Sequence, residues 1–357
     1  MTRFEWRGVM LDVARHFFDV ATVKRFIDLS TMYKVNHLHL HLTDDQGWRI
    51  AVDSWPRLAT HGGGSQVGGG PGGYYTKDDY REIVAYAAKR FVTVVPEVDL
   101  PGHTNAALAS YPELNCDGKA PPRYTGIDVG FSALCANDAD TDRFLSDVLG
   151  ELADLTPGPY LHIGGDEASE MTPDDYATVV TRAQEIVSAS GKTAVGWHQL
   201  AEAKLDDSTV LQFWDNDASA PGVAEAATSG HRVIMSPANH AYLDQMYDNT
   251  SPIGLRWAGP TSVEKAYGWD PANHIPGVAE QAVLGVEGPL WTETVTTMDD
   301  IEYLAFPRLA AIAEIGWSPV STHDWSAFRV RLGGQAPRWA ALGVDFARTD
   351  DVPWVAV

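Results

Sequence analysis

The chain is short of cations. Its 357 residues include 26 lysines and arginines against 48 aspartates and glutamates, a formal net charge of −22. Phosphate backbones are bound by clustered Lys and Arg, so this balance argues against a nucleic-acid partner. No apolar run approaches the roughly 20 residues that span a bilayer, and no membrane partner is expected. The opening Met1-Thr2-Arg3-Phe4-Glu5-Trp6-Arg7 lacks the apolar stretch of a secretory signal. No Gly-x-Gly-x-x-Gly follows the first strand candidate, which counts against a dinucleotide-binding sheet. Cysteine is scarce too, with only Cys116 and Cys135, both in one Gly/Pro-rich stretch. A loop-stapling disulfide formed in an oxidising compartment and two unpaired thiols both fit that spacing.

What is present alternates. Strand-like apolar runs at 8–13, 36–42, 91–98, 160–165, 193–197, 210–214, 233–236 and 282–287 are interleaved with stretches of helical spacing. The helical stretches are 21–33, 77–89, 140–155, 173–190, 223–229 and a strong closing helix at 299–316, with a poorly marked helix between 197 and 210. Alternating β and α implies a parallel sheet, and eight such units at this length favour an α/β fold of the closed (β/α)8 TIM-barrel type. An open doubly wound sheet is the alternative. Composition alone makes the glycine-rich run 62–73 a flexible linker.

Barrel active sites lie at the C-terminal ends of the strands. There the sequence places Asp12 and Arg15, then Asp44 and Asp45, then Glu97, Asp99 and His103, then Asp166 and Glu167. Trp197, Trp214 and Asp215 follow, then Tyr242, Asp244 and Trp257, then Trp291 and Glu293. Recurrent Trp with carboxylates points to a sugar site, because a pyranose has an apolar face and hydroxyls that need polar partners. The central stretch is Tyr160-Leu161-His162-Ile163-Gly164-Gly165-Asp166-Glu167. Neighbouring strand residues face opposite ways, so Asp166 and Glu167 share a site only if the glycines end the strand first. A capped acidic turn is the plainer reading of the pair. His37, His39 and His41 alternate along one strand face, which fits either a metal-dependent hydrolase or histidines with interior hydrogen bonds. The second is favoured, since His37 and His39 lie deep in the strand. A carbohydrate-binding protein without catalysis is a further reading.

The motifs resemble those of the family 20 glycoside hydrolases, the β-N-acetylhexosaminidases, in their bacterial, actinomycete-type branch. The pieces are Arg7-Gly8-Val9-Met10-Leu11-Asp12-Val13-Ala14-Arg15-His16-Phe17, His39-Leu40-His41-Leu42-Thr43-Asp44-Asp45-Gln46-Gly47-Trp48-Arg49, Pro96-Glu97-Val98-Asp99-Leu100-Pro101-Gly102-His103, His162-Ile163-Gly164-Gly165-Asp166-Glu167 and Trp291-Thr292-Glu293. The resemblance implies a (β/α)8 barrel that removes terminal β-linked N-acetylglucosamine or N-acetylgalactosamine from chitooligosaccharides or glycan termini, with retention and substrate assistance. It implies Glu167 as general acid/base, Asp166 as orienter of the substrate acetamido group, and Tyr242 as donor to the acetamido oxygen, with Tyr247 as the fallback. Trp197, Trp214 and Trp291 then wall the pocket, Arg15, Asp244 and Glu293 bind hydroxyls, and Trp257 stacks on the leaving-group side. Asp44 and His103 support Glu167, Cys116 and Cys135 match a loop disulfide, and 62–73 matches the loop after the second strand. No metal or organic cofactor is required. The expectation is a single catalytic barrel over residues 1–357, without the smaller α/β domain found ahead of it in many relatives, working in a secreted or extracytoplasmic setting. A disaccharide-releasing lacto-N-biosidase type of the same family is the alternative activity. The sequence sets no oligomeric state.

Overall fold

In the computed structural model, which describes residues 2–357, eight parallel strands close into a barrel. They are β1 (Trp6–Asp12), β2 (His37–His41), β3 (Thr93–Leu100), β4 (Tyr160–Gly164), β5 (Thr193–Trp197), β6 (Val210–Phe213), β7 (Val233–Met235) and β8 (Val283–Leu290). Each pairs with its sequence neighbours, and β8 closes on β1 with Trp6 opposite Gly285 and Leu11 opposite Leu290. The outer helices start where short polar side chains can take up free backbone N–H groups. Asp19 caps α1 (Val20–Thr31), Thr76 forms a capping box on α2 (Lys77–Ala88), Asp138 caps α3 (Ala139–Leu155), and Thr172 caps α4 (Pro173–Ala189). No helix among the described residues is long and apolar enough to cross a membrane.

Side chains fill the barrel in tiers, as parallel register requires. The lower tier is apolar, with Trp6, Val95, Val195, Val210, Ile234 and Leu284. The upper tier holds Met10, Trp197, Ala238, Tyr242 and Trp291. Between them sit polar groups: His39 bonds Glu287 and Glu97 at 2.8 Å each, and Gln212 bonds Glu287 at 2.9 Å. The strand histidines thus satisfy interior hydrogen bonds. His37 stands apart, stacked on Trp6 at 3.8 Å and bonded to Asn36.

Three expectations need correction. The strand pair β5–β6 is joined by a short 3₁₀ turn, His198–Glu202, and not by an α-helix. The closing helix is two helices, α5 (Met298–Ala305) and α6 (Arg308–Trp317). Pro307 has no N–H to continue the ladder and disfavours helical geometry in the residue before it, so Phe306 is extended at φ −108°. The glycine-rich run is no loose linker, because buried Arg49 donates to Gly63 O at 2.9 Å, Gly73 O at 3.0 Å and Ser65 O at 2.8 Å. Cys116 and Cys135 form a disulfide that closes the loop after β3, and both thiols are therefore consumed.

Candidate active site

The strand β4 ends at Gly164, where the chain turns with φ +67°. A β-carbon there would stand 1.7 Å from Asp99 Oδ1, so no other residue fits the turn. Gly165 continues it at φ +103°, and the turn lets Asp166 and Glu167 face the same cavity. Glu167 itself has φ +46° and His103 has φ +55°. Left-handed backbone at residues with side chains is a cost of order 1–3 kcal/mol each, and such positions cluster at functional sites. Here the two such residues touch: His103 Nε2 lies 3.2 Å from Glu167 Oε2 and 3.6 Å from Asp166 Oδ2. The other ring nitrogen faces Asp44 Oδ1 at 3.1 Å.

The cavity at this end of the barrel measures about 320 Å³ and is walled by Trp214, Tyr242, Trp257 and Trp291, with Leu255, Ile127 and Val129 toward the mouth. Arg15, Glu293, Asp166, Glu167 and His103 supply its polar lining. Arg15 lies over the Trp291 ring at 4.8 Å and is braced by Asp44 at 3.1 Å and Asp12 at 3.3 Å. Trp214 donates to Gln199 at 3.0 Å. Trp257 is half exposed and meets both Trp214 and Tyr242 edge-on.

Two expected sugar contacts lie one layer deeper than the cavity wall. Trp197 is fully buried behind Trp291, with its indole N–H donated to Glu97 at 2.9 Å. Asp244 is buried beside Trp291, whose backbone N–H approaches it at 3.5 Å, and its other oxygen accepts from Gln245 at 2.8 Å. Tyr247 is removed as a fallback for Tyr242, since its hydroxyl donates to the backbone carbonyls of Tyr303 and Leu304.

Burial dominates the acid–base character of the pocket. It raises the Asp166 carboxyl, His103 opposes and Glu167 reinforces, and the outcome is about 6. Burial and the adjacent Asp166 push Asp99 well above the carboxylate range, so Asp99 carries the proton of that pair and Asp166 the charge. Burial, and then the Glu293 charge, lift Asp244 to about 8. Burial and Asp244 hold the Tyr242 hydroxyl well above its usual value, so it stays a neutral donor. His103 is kept cationic by Asp44 and Asp166 against the effect of burial.

The model of the glycosyl hydrolase family 20 catalytic domain matches residues 4–178 and 172–320. The chain belongs to glycosyl hydrolase family 20. Over 352 residues it is 46% identical to a β-N-acetylhexosaminidase of Cellulomonas fimi, covering 99% of this chain and 71% of that protein. It is 35% identical to a β-hexosaminidase of Porphyromonas gingivalis, covering 96% of this chain but only 47% of the longer relative. Among solved structures, the family 20 β-N-acetylhexosaminidase of Streptomyces coelicolor A3(2) superposes with a TM-score of 0.98 at 57% identity, over 99% of this chain and 72% of that one. A mutant Streptomyces plicatus β-hexosaminidase in complex with product (GlcNAc) does so with the same TM-score and coverage at 58% identity. The chain is a glycoside hydrolase with the barrel of its family.

Sequence reasoning missed one pairing behind this family 20 pocket and several of its lining residues. Asp99 was visible as a strand-end carboxylate, but its pairing with Asp166 depends on the Gly164 turn. Ile127, Val129 and Leu255 carried no signal, because an aliphatic residue in a loop looks the same whether or not it lines a cavity. Ile127 and Val129 are brought to the mouth by the loop that the disulfide closes, and they remain exposed there.

Proposed function

We propose that this chain is an exo-acting β-N-acetylhexosaminidase that releases terminal β-linked N-acetylglucosamine or N-acetylgalactosamine with retention, using the substrate's own acetamido oxygen as nucleophile. One observation carries the reading: Asp166 and Glu167 are adjacent on the wall of a small aromatic cavity, with His103 against both. An ordinary retaining pair stands about 5 Å apart across the scissile bond, which neighbouring residues do poorly. Substrate assistance asks for one acid at the leaving oxygen and one anion at the amide N–H. Glu167 serves as the first and Asp166 as the second. The acetamido oxygen closes on the anomeric carbon while Glu167 passes its proton to the leaving group. Asp166 balances the charge of the resulting oxazolinium, and Tyr242 donates to the oxygen that attacks. Glu167 then takes a proton from the water that opens the ring, and retention follows from two inversions. Holding the nucleophile inside the substrate exploits the high effective molarity of an intramolecular reaction.

The cavity size supports release of single sugars. At about 320 Å³ it stands at the low end of small-ligand pockets, roughly 300–1,000 Å³, which favours a single sugar over a disaccharide. Arg15 and Glu293 in the cavity lining supply polar groups for the hydroxyls of the terminal sugar. The GlcNAc bound to the Streptomyces plicatus relative supports that sugar as one substrate. The Cys116–Cys135 disulfide supports an oxidising, extracytoplasmic place of work. Nitrophenyl glycosides of N-acetylglucosamine, N-acetylgalactosamine, glucose and lacto-N-biose, each with and without chelator, test the reading. Cleavage of the two N-acetyl monosaccharides alone, indifferent to chelator, is expected. Turnover of the glucoside at a comparable rate would refute substrate assistance.

A further inference from the structure

The interior of a (β/α)8 barrel is ordinarily filled with branched apolar side chains. Here its middle is ionisable and closed to bulk solvent, since His39, Glu97 and Glu287 are fully buried, as is His41 one step nearer the pocket. A buried ion network seldom adds net stability over apolar packing of the same volume, so stability does not account for it. The hydrogen bonds lead somewhere. Glu97 Oε2 faces His39 Nε2 at 2.8 Å and His41 Nδ1 at 2.5 Å. His41 Nε2 lies 2.7 Å from Asp44 Oδ2, and Asp44 Oδ1 lies 3.1 Å from His103 Nδ1. His103 Nε2 then reaches Glu167 at 3.2 Å. Contacts therefore run from the barrel centre to Glu167, by hydrogen bonds as far as His103 and by an ion contact, not a hydrogen bond, across the last gap.

An ionised carboxylate can only accept. A ring with a carboxylate at each nitrogen therefore has to donate twice, as an imidazolium, and His41 is such a ring. Burial works against its charge, but Glu97 and Asp44 outweigh burial and raise His41 to about 10. Its role at Asp44 is specific. Asp44 Oδ2 is shared between His41 and Arg15, the latter at 3.1 Å on the sugar side. Without a cationic His41, Arg15 would be the only cation on that oxygen, and the carboxylate could turn away from His103. Glu97 is itself held, since its other oxygen accepts from Trp197 at 2.9 Å.

We propose that Glu97 is a positioning residue for the acid/base step: it fixes His41 as a double donor, His41 holds Asp44, and Asp44 sets the His103 ring against Glu167. This rests on the reading of Glu167 as acid/base. The test is Glu97→Gln in the whole chain, an isosteric change that keeps an acceptor for Trp197 and removes the charge. Leaving-group release is followed before steady state on a GlcNAc disaccharide and on the dinitrophenyl glycoside. General acid catalysis is worth about 10²–10⁴-fold, so the variant should lose roughly thirtyfold or more on the disaccharide relative to the activated glycoside, with KM nearly unchanged. Glu287→Gln is the control for mere damage to the core. Glu287 is equally buried and bonds the same His39 from the other side, and this variant should lose rate on both substrates alike. Equal losses in Glu97→Gln, or the same selective loss in Glu287→Gln, would overturn the proposal. Glu167→Gln runs beside them. Selectivity there but not in Glu97→Gln refutes the positioning role alone, whereas none in Glu167→Gln refutes the acid/base reading and the proposal with it. If Glu97→Gln shows no cooperative melting, ¹⁵N-histidine spectra of the unaltered enzyme decide. Protons on both nitrogens of His41 at neutral pH are required, and a neutral His41 ring rules the proposal out.

Discussion

Asp166→Asn isolates the charge that the mechanism places beside the oxazolinium. The substitution keeps shape and an acceptor oxygen for the protonated Asp99, so the turn at Gly164 and Gly165 should survive. What it removes is one negative charge in a pocket where Asp166 is only 7% exposed. Unit charges about 4 Å apart interact by roughly 4 kcal/mol at an effective dielectric of about 20. At ~1.36 kcal/mol per decade, that is close to three decades. Part of it is recovered by an amide dipole, so an inhibition constant about 10²–10³-fold weaker is expected for a thiazoline mimic of the intermediate. The KM for a neutral aryl glycoside should move far less, because the ground state carries no charge there. The pH profile gives a second measure. Asp166 titrates near 6 and is needed ionised, so kcat/KM of the parent enzyme should fall as pH drops through about 6. Asp166→Asn should lack that acid limb. A thiazoline constant that changes less than tenfold in a variant of normal melting temperature would refute the electrostatic role. Trapping a 2-fluoro glycosyl adduct on a carboxylate would refute the internal nucleophile.

Tyr242→Phe should lower kcat by about 10²-fold, the usual effect of removing one donor to a developing charge, with little change in melting temperature. Tyr247→Phe should leave kcat alone and cost about 1 kcal/mol of stability for its lost carbonyl bonds, and the opposite assignment of effects would reverse the roles given to these tyrosines. The denatured, unreduced protein should show no titratable thiol, and reduction should cost about 3 kcal/mol for a loop of this length, so two reactive thiols would deny the bridge. Asp244 has a folded-state pKa near 8, raised above that of the unfolded chain, so folding takes up a proton between about 4 and 8. Its stabilising contribution is complete below about 4 and lost as pH rises through 8. The melting temperature of Asp244→Asn relative to the parent should therefore climb across that window, and a constant difference would contradict the raised pKa.

The barrel was legible because parallel strands buried on both faces read as apolar runs, and capping residues such as Thr172 marked where helices begin. Asp166 and Glu167 were legible because two glycines preceded them and gave a reason for both to face one site. What failed did so for local physical causes. Pro307 was passed over inside a helical pattern whose apolar spacing continues on either side of it. The 62–73 run looked flexible because its restraints come from distant partners, the Arg49 guanidinium and the backbone of Arg15 and Thr125 among them, which composition does not reveal. Trp197 stood at a strand end like Trp214 and Trp291, and only packing shows that it lies behind the latter. The segment after Trp317 gave no expectation, yet it forms the helices Trp325–Gly333 and Ala336–Ala341.

The charged lining of the pocket also bears on selectivity. Asp166, Glu293 and Arg15 bring three charged side chains to the cavity wall. Leaving such a group unpaired costs about 1–3 kcal/mol, more where it is charged. A substrate that pairs with these side chains avoids that cost. A substrate lacking one matching group does not merely forgo a contact, since it seals an unpaired charge away from water. Sites built this way reject the analogue without the polar group by about 10⁴–10⁵-fold, far more than a missing methylene achieves. The plain 2-hydroxy glycoside therefore fails twice. It brings no nucleophile, and it offers Asp166 no amide N–H.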